Sequence, residues 1–195
     1  MSRPAVREAV RLLSQANLVH ASRGPGGGVF VRHTLDRGLA ETIGSSIAMM
    51  LEWQTTSLTE LIEVRMLLEI PLAGLAAVRA DGATIARLRE EVSQASDHLS
   101  DEETQRATDR RFHRTIAEAA GNPVASALVA WSHMVLQPTL KALIAPAIVD
   151  AVAIEQHREI IAGIQSGKSA VAERAMRDHL RYISDVLETV VQVAE

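Results

Sequence analysis

The stretch Thr108-Asp-Arg-Arg-Phe-His-Arg-Thr-Ile-Ala-Glu-Ala-Ala-Gly-Asn-Pro123 decides how this chain is read. Asp109 and His113 stand four apart, so on a helix both side chains leave one face and reach toward a common point. Phe112, Ile116, Ala117 and Ala120 recur at the helical period around His113, which turns that face inward. Gly121-Asn122-Pro123 then supplies a C-terminal glycine, a cap and a first-turn proline, so one helix ends and the next begins there.

Two more histidines repeat the arrangement. His157 has Ile154 before it and Ile160 and Ile161 after it; His179 has Ala175 and Met176 before it and Tyr182 and Ile183 after it. A single histidine on an apolar helix face is most often a core residue bonded to a carbonyl. Three of them with an aspartate would be costly as separate unpaired polar groups, and a shared cation would satisfy them together. Imidazole nitrogens with a carboxylate oxygen suit Zn, Ni, Mn or Fe, and the chain has no cysteine to select thiolate-loving metals. Asp109, His113, His157 and His179 are therefore candidate ligands of a divalent transition metal, with Zn, Ni or Mn expected. His133, beside Trp131 and Met134, is expected to line the core or a pocket outside the metal site, and His98 is likewise left out of it. His20 and His33 belong to an early hairpin.

The composition agrees with packed helices. Of 195 residues 47% are hydrophobic but only 3% aromatic, leaving Ala, Leu, Ile and Val to build the interior. The absence of cysteine excludes a disulfide framework. No signal peptide opens the sequence, and the most apolar window, Ala142 to Ile154, is broken by Pro146 and Asp150 and too short to span a bilayer. The expectation is a soluble, cytoplasmic protein with no membrane partner. Its net charge of −4 is uneven: residues 1–33 carry five arginines against one glutamate, a net of +4, and the other 15 basic and 23 acidic residues give −8. A basic head on an acidic body fits a nucleic-acid contact at one end, and equally a solvated basic face.

Along the chain, residues 3–17 read as a helix capped by Ser2, with Pro4 in its first turn and Val6, Ala9, Val10 and Leu13 as its stripe. Leu18–Ser22 and Val29–Arg32 are short extended runs around Arg23-Gly-Pro-Gly-Gly-Gly28, the pattern of a hairpin with a glycine-rich tip. That loop lacks the lysine and strand-to-helix context of a phosphate loop. Leu35 to Trp53 reads as a linking helix with Leu39, Ile43, Ile47 and Met50 as its stripe. Ser57-Leu-Thr-Glu60 is a capping box opening a long helix to Ala80, in which Pro71 is expected to kink the axis. Asp81-Gly82 separates it from a helix over 83–99, and Ser100-Asp-Glu-Glu103 reads as a second capping box. Helices over about 123–144, 148–166 and 168–192 follow, the last two separated at Gly167. Arg65, near Leu61, Ile62 and Leu68, reads as a snorkelling arginine paired with Glu69.

Helix, hairpin and a histidine-bearing helical body in this order resemble one known family. Ser2 to Val19 followed by Arg23 to Val31 resembles the recognition helix and wing of the GntR-type winged helix-turn-helix. Asp109 to Asn122, with His157 and His179 at intervals of 44 and 22, resembles the FCD effector domain of its FadR subfamily. The resemblance covers essentially the whole chain. It implies an all-α fold, an antiparallel helical bundle preceded by a partial winged helix-turn-helix with a short β-hairpin. The implied divisions are 1–33 for the partial DNA-binding head, 34–56 for the linking helix and 57–195 for the effector- and metal-binding domain.

By the same resemblance, Arg3, Arg7, Arg23 and Gly24 would contact operator DNA, Arg65 would hold a small organic acid effector, and the protein would act as a homodimer on two half-sites. The family also places two helices before the recognition helix. Their absence from this sequence is expected to reflect a start placed too far downstream, a GTG valine codon read as the initiator, with genuine truncation as the other explanation. The implied function is a metabolite-responsive transcription regulator. Two alternatives remain: a ligand-binding remnant without DNA binding, and a metal-dependent hydrolytic enzyme. The enzyme reading lacks a general-base motif such as His-Glu-x-x-His.

Overall fold

Ser57 opens the central helix of the protein with both halves of a capping box: Ser57 Oγ accepts from Glu60 N at 3.2 Å, and Glu60 Oε2 accepts from Ser57 N at 2.8 Å. Two of the helix's orphan donors are thereby satisfied. The structure, a computed structural model, describes residues 2–15, 18–31, 35–143 and 146–194. Its elements run α1 (Arg3–Gln15), β1 (Val19–Ser22), β2 (Gly28–Val31), α2 (Leu35–Glu52), α3 (Leu58–Arg79), α4 (Gly82–Asp97), α5 (Glu102–Ala119), α6 (Pro123–Leu143), α7 (Pro146–Gln165) and α8 (Ser169–Ala194). The expected ends at Ala16, Asn17, Arg32 and Ile144 lie outside the described residues, as do His33 and the side chains of Leu39 and Ile43.

α3 is the axis of the bundle, packing on α5, α6, α7 and most extensively on α8. Its inward face carries Ala73, Gly74, Ala76 and Ala77, small residues that let neighbouring helices approach closely. Leu88 and Val92 of α4, Phe112 and Ile116 of α5, Ile160 and Ile164 of α7 and Met176 and Leu180 of α8 close the main core around them. A second cluster joins Leu61 and Ile62 of α3 to Trp131, Val135 and Leu136 of α6 and Leu187 of α8. The linking helix α2 lies on α6 and covers this cluster with Ile47 and Leu51. α7 and α8 approach closely at Gly163, where an added Cβ would stand 2.9 Å from Ala172 Cα. α3 continues as one helix through Pro71.

The start of α5 differs from the expected capping box. Asp101, not Ser100, is the cap, its Oδ1 accepting from Glu103 N and Thr104 N at 3.1 and 3.3 Å. A carboxylate satisfies two backbone donors and also opposes the positive end of the helix dipole, which a serine hydroxyl does less well. At the other end of α5, Gly121 takes φ +72 and Asn122 caps α6 through Val124 N and Ala125 N.

The amino-terminal segment is a helix and a two-stranded antiparallel hairpin, with Val19 opposite Val31 and Ser22 opposite Gly28. Gly24 and Gly26 sit at φ +104 and +86, which is why glycine occupies the turn. α1 packs on β1, yet none of its residues is buried, and Val6 and Leu13 of its apolar stripe stay exposed.

Candidate functional site

Four helices of the bundle deliver imidazoles to one point. α5 turns Asp109 and His113 to the same face, α7 brings His157, α8 brings His179, and α6 brings His133. One ligand atom each from Asp109, His113, His157 and His179 lies within 4.8 Å of the others. In a tetrahedral zinc site with metal–ligand bonds of about 2.1 Å, neighbouring ligands stand roughly 3.4 Å apart, so a modest closure would seat one cation. The rings hold one another in place: His157 stacks on Phe112 with centroids 4.1 Å apart, and His113 lies 5.3 Å from both His157 and His179.

The polar accounting of this cluster favours a cation. Two inward nitrogens face carboxylates, His113 Nδ1 at 2.5 Å from Glu69 Oε2 and His133 Nδ1 at 3.2 Å from Asp109 Oδ2. Nε2 of His113 and Nε2 of His157 are instead buried without a hydrogen bond, each 3.6 Å from Asp109 Oδ1 and so beyond hydrogen-bond reach of it. Buried nitrogens left in this way are costly, and lone-pair donation to a metal removes the cost. His179 is prepared for the same role: its Nδ1 donates to Gln156 Oε1 at 3.0 Å, which fixes the tautomer and leaves Nε2 as the donor atom.

Electrostatics point the same way. Burial, reinforced by the charge of neighbouring His113, pushes His157 down to about 3. Burial also holds His179 well below its usual value, with His157 adding to the effect. Both rings are thus neutral and able to ligate at pH 7. Burial would raise Asp109, but the neighbouring imidazoles of His113 and His133 outweigh it and hold the carboxyl well below the ordinary range. The side chain of Asp109 keeps 32% of its surface exposed, so water reaches it and the desolvation that full enclosure would impose is reduced. It is the open edge of the cluster.

Arg65 and Glu69 complete the centre from α3. They are 3% and 2% exposed and paired, Arg65 Nε donating to Glu69 Oε1 at 2.6 Å. The guanidinium is buried and does not snorkel; its expected partner at i+4 is present. Arg65 Nη2 also lies 2.9 Å from His133 Nε2. Glu69 in turn stands 2.5 Å from His113 Nδ1 and 3.5 Å from His133 Nε2. Burial alone would raise Glu69, but the charges of Arg65, His113 and His133 hold it well below the usual carboxylate range.

His133 is thereby brought into the cluster that sequence reasoning set apart from it: its Nδ1 lies 3.2 Å from Asp109 Oδ2. Glu69, His113 and His133 form a second potential metal triad. A cation there would face the Arg65 guanidinium at close range, so the Asp109 set is the electrostatically better seat. No sequence spacing marks His133 or Glu69, since each comes from a helix without a second ligand. The only signal for Glu69 was its position four after a buried arginine.

At the opposite end of the sequence, Arg3 and Arg7 are exposed on α1 and Arg23 and Gly24 are exposed at the hairpin turn. Arg11, the third arginine of the α1 row, is tied to Glu8 at 2.6 Å. No described helix is long and apolar enough to cross a membrane.

A helical bundle with a histidine-rich interior, preceded by a helix and a hairpin, defines the class, and comparison with known proteins agrees. The FCD domain family matches residues 60–182. The HTH-type transcriptional regulator LutR of Bacillus subtilis is 28% identical over 192 residues, 96% of this chain and 85% of that protein. The HTH-type transcriptional repressor NanR of Cronobacter sakazakii is 30% identical over 193 residues, 94% of this chain and 70% of that protein. Among solved structures, Streptococcus agalactiae GntR superposes with a TM-score of 0.73 at 24% identity, covering 95% of this chain and 83% of its own. E. coli McbR/YncC gives 0.59 at 17% identity, covering 94% and 83%. The chain belongs to the GntR family of transcription regulators and carries an FCD domain.

Proposed function

We propose that this regulator senses a small carboxylate metabolite at a divalent metal, Zn, Ni or Mn, held by Asp109, His113, His157 and His179. Its division of labour would follow the expected boundaries, with 1–33 contacting operator DNA, 34–56 linking and 57–195 sensing. Arg3, Arg7, Arg23 and Gly24 would meet DNA, Arg65 would meet the effector, and the working form would be a cytoplasmic homodimer on two half-sites. The observation that carries the reading is the convergence of ligand atoms of His113, His157 and His179 beside Asp109, with Nε2 of His113 and of His157 buried and without a hydrogen bond.

Charge supports the effector class. Arg65 and Glu69 cancel each other, so a divalent ion with Asp109 and neutral imidazoles leaves the buried centre at +1. An organic acid would neutralise it and supply oxygen donors to open coordination positions. Asp109, partly open to solvent, gives such a ligand its approach. The test is metal analysis of the purified protein followed by thermal-shift screening. Stoichiometric metal and stabilisation by carboxylates are expected; a protein that takes up no divalent metal at micromolar concentration overturns the reading.

A further inference from the structure

We propose that His133 is a positioning residue of the metal centre: it faces one oxygen of Asp109 so that the other is offered to the ion, and it takes its own orientation from Arg65. The inference rests on the metal reading above and adds to it a group that is not itself a ligand. His133 is 1% exposed, too little for solvent to partner its ring, so its polar neighbours are those of the protein. Nε2 lies 2.9 Å from Arg65 Nη2 and 3.5 Å from Glu69 Oε1, and Nδ1 lies 3.2 Å from Asp109 Oδ2.

The chemistry of these neighbours decides where the ring carries its proton. A guanidinium nitrogen only donates, and two N–H groups do not face each other at 2.9 Å, so Nε2 presents its lone pair to Arg65. The proton is then on Nδ1, the nitrogen turned to Asp109. The carboxylate is divided accordingly. Oδ2 faces that N–H, whereas Oδ1 stands 3.6 Å from Nε2 of both His113 and His157, among the atoms that would surround the ion. With Nε2 occupied by Arg65 and Nδ1 protonated, His133 has no lone pair left for a metal. That sets it apart from His113, His157 and His179, although its ring lies 4.6 Å from that of His113. A polar group behind a ligating side chain fixes the orientation of that ligand, and its loss typically lowers metal affinity by about 10–100-fold.

The test has two arms, both on the full chain. In the first, the parent with isotopically labelled histidine nitrogens is loaded with a spin-active cadmium isotope, which couples through each metal–nitrogen bond to the ring that ligates it. His113, His157 and His179 should show the coupling, and His133 should show none and carry its proton on Nδ1; coupling at His133 would make it a ligand and overturn the inference. In the second, chelator competition measures zinc affinity. His133→Leu removes both polar contacts and should weaken zinc binding about tenfold or more. His133→Gln, whose amide keeps one donor and one acceptor, should recover most of that loss. Unchanged affinity in His133→Leu, or an equal loss in both variants, would reduce the ring to a packing role and overturn this inference while leaving the ligand set intact. If His133→Leu does not fold, the spectrum of the labelled parent decides alone. A parent that binds no divalent metal would overturn both this inference and the reading beneath it.

Discussion

Glu69 Oε2 lies 2.5 Å from Nδ1 of His113, while the other nitrogen of that ring, Nε2, faces Asp109 Oδ1 at 3.6 Å. The imidazole is therefore braced from behind by one carboxylate and presented toward another. A carboxylate behind a ligating histidine fixes its tautomer and raises its basicity, and loss of such a partner typically lowers metal affinity by about 10–100-fold. Glu69→Gln keeps the shape and removes the charge. Its metal affinity, measured by chelator competition, should fall within that range, and an unchanged affinity would reduce Glu69 to a counterion for Arg65.

His157→Ala removes one proposed ligand and leaves the helix intact. Metal content should drop, and the melting temperature of the metal-loaded sample should fall toward that of the chelator-treated parent, because a bound cation stabilises only the folded site. Equal metal content in variant and parent would remove His157 from the ligand set.

Arg65→Lys preserves the positive charge opposite Glu69 but loses the planar fork that grips a carboxylate by two bonds. Carboxylates, citrate-like buffers included, should raise the melting temperature of the parent and have most of that effect abolished in the variant, with metal content unchanged. Stabilisation of the parent by neutral or cationic metabolites and by no carboxylate would refute the proposed effector class. An undiminished response in the variant would return Arg65 to its role as the partner of Glu69.

Gly163 governs how closely α7 approaches α8. A methyl at this position would stand 2.9 Å from Cα and 3.1 Å from N of Ala172, backbone atoms that cannot turn aside. Gly163→Ala should cost about 1–3 kcal/mol of stability as overpacking does. It should also weaken metal binding, because His157 and His179 ride on the two helices it forces apart. A stability loss with unaltered metal affinity would show that the two histidines tolerate that displacement.

The metal-free protein should lose stability on mild acidification. His157, held down to about 3, and His179, held well below its usual value, stay neutral in the folded state, whereas the unfolded chain protonates both below about pH 6.5. Their contribution is complete above pH 6.5 and declines as pH falls toward 3. His113 is raised: burial would lower it, but Glu69 and Asp109 outweigh that, so its contribution is full below pH 6.5 and disappears as pH rises through its folded value. Over the window from pH 6.5 to 4.5 His113 is therefore constant, and the two losses predict a melting temperature that falls as chelator-treated protein is acidified through it. A flat profile over that window would show that these histidines accept protons in the folded state.

Much of this protein is legible in its sequence, because local physics is written locally. The capping box at Ser57 and Glu60, the glycine turn of the hairpin and the Gly121-Asn122-Pro123 break each depend on neighbours a few residues away, and all are present as read. Asp109 and His113 share a face because helical periodicity puts them there. The apolar surroundings of His157 and His179 showed that both rings point inward. The cap of α5 was misread at Ser100 because serine and aspartate are both good caps and adjacent, and only backbone geometry chooses Asp101. His133 and Glu69 joined the centre through tertiary packing alone. α6 brings His133 and α3 brings Glu69 with Arg65 from far along the chain, neither helix holding a second potential ligand there, so no spacing records their meeting. Where inward-pointing side chains from separate helices converge is decided by how the helices pack, and that depends on small contacts such as Gly163 against Ala172 that no periodicity encodes.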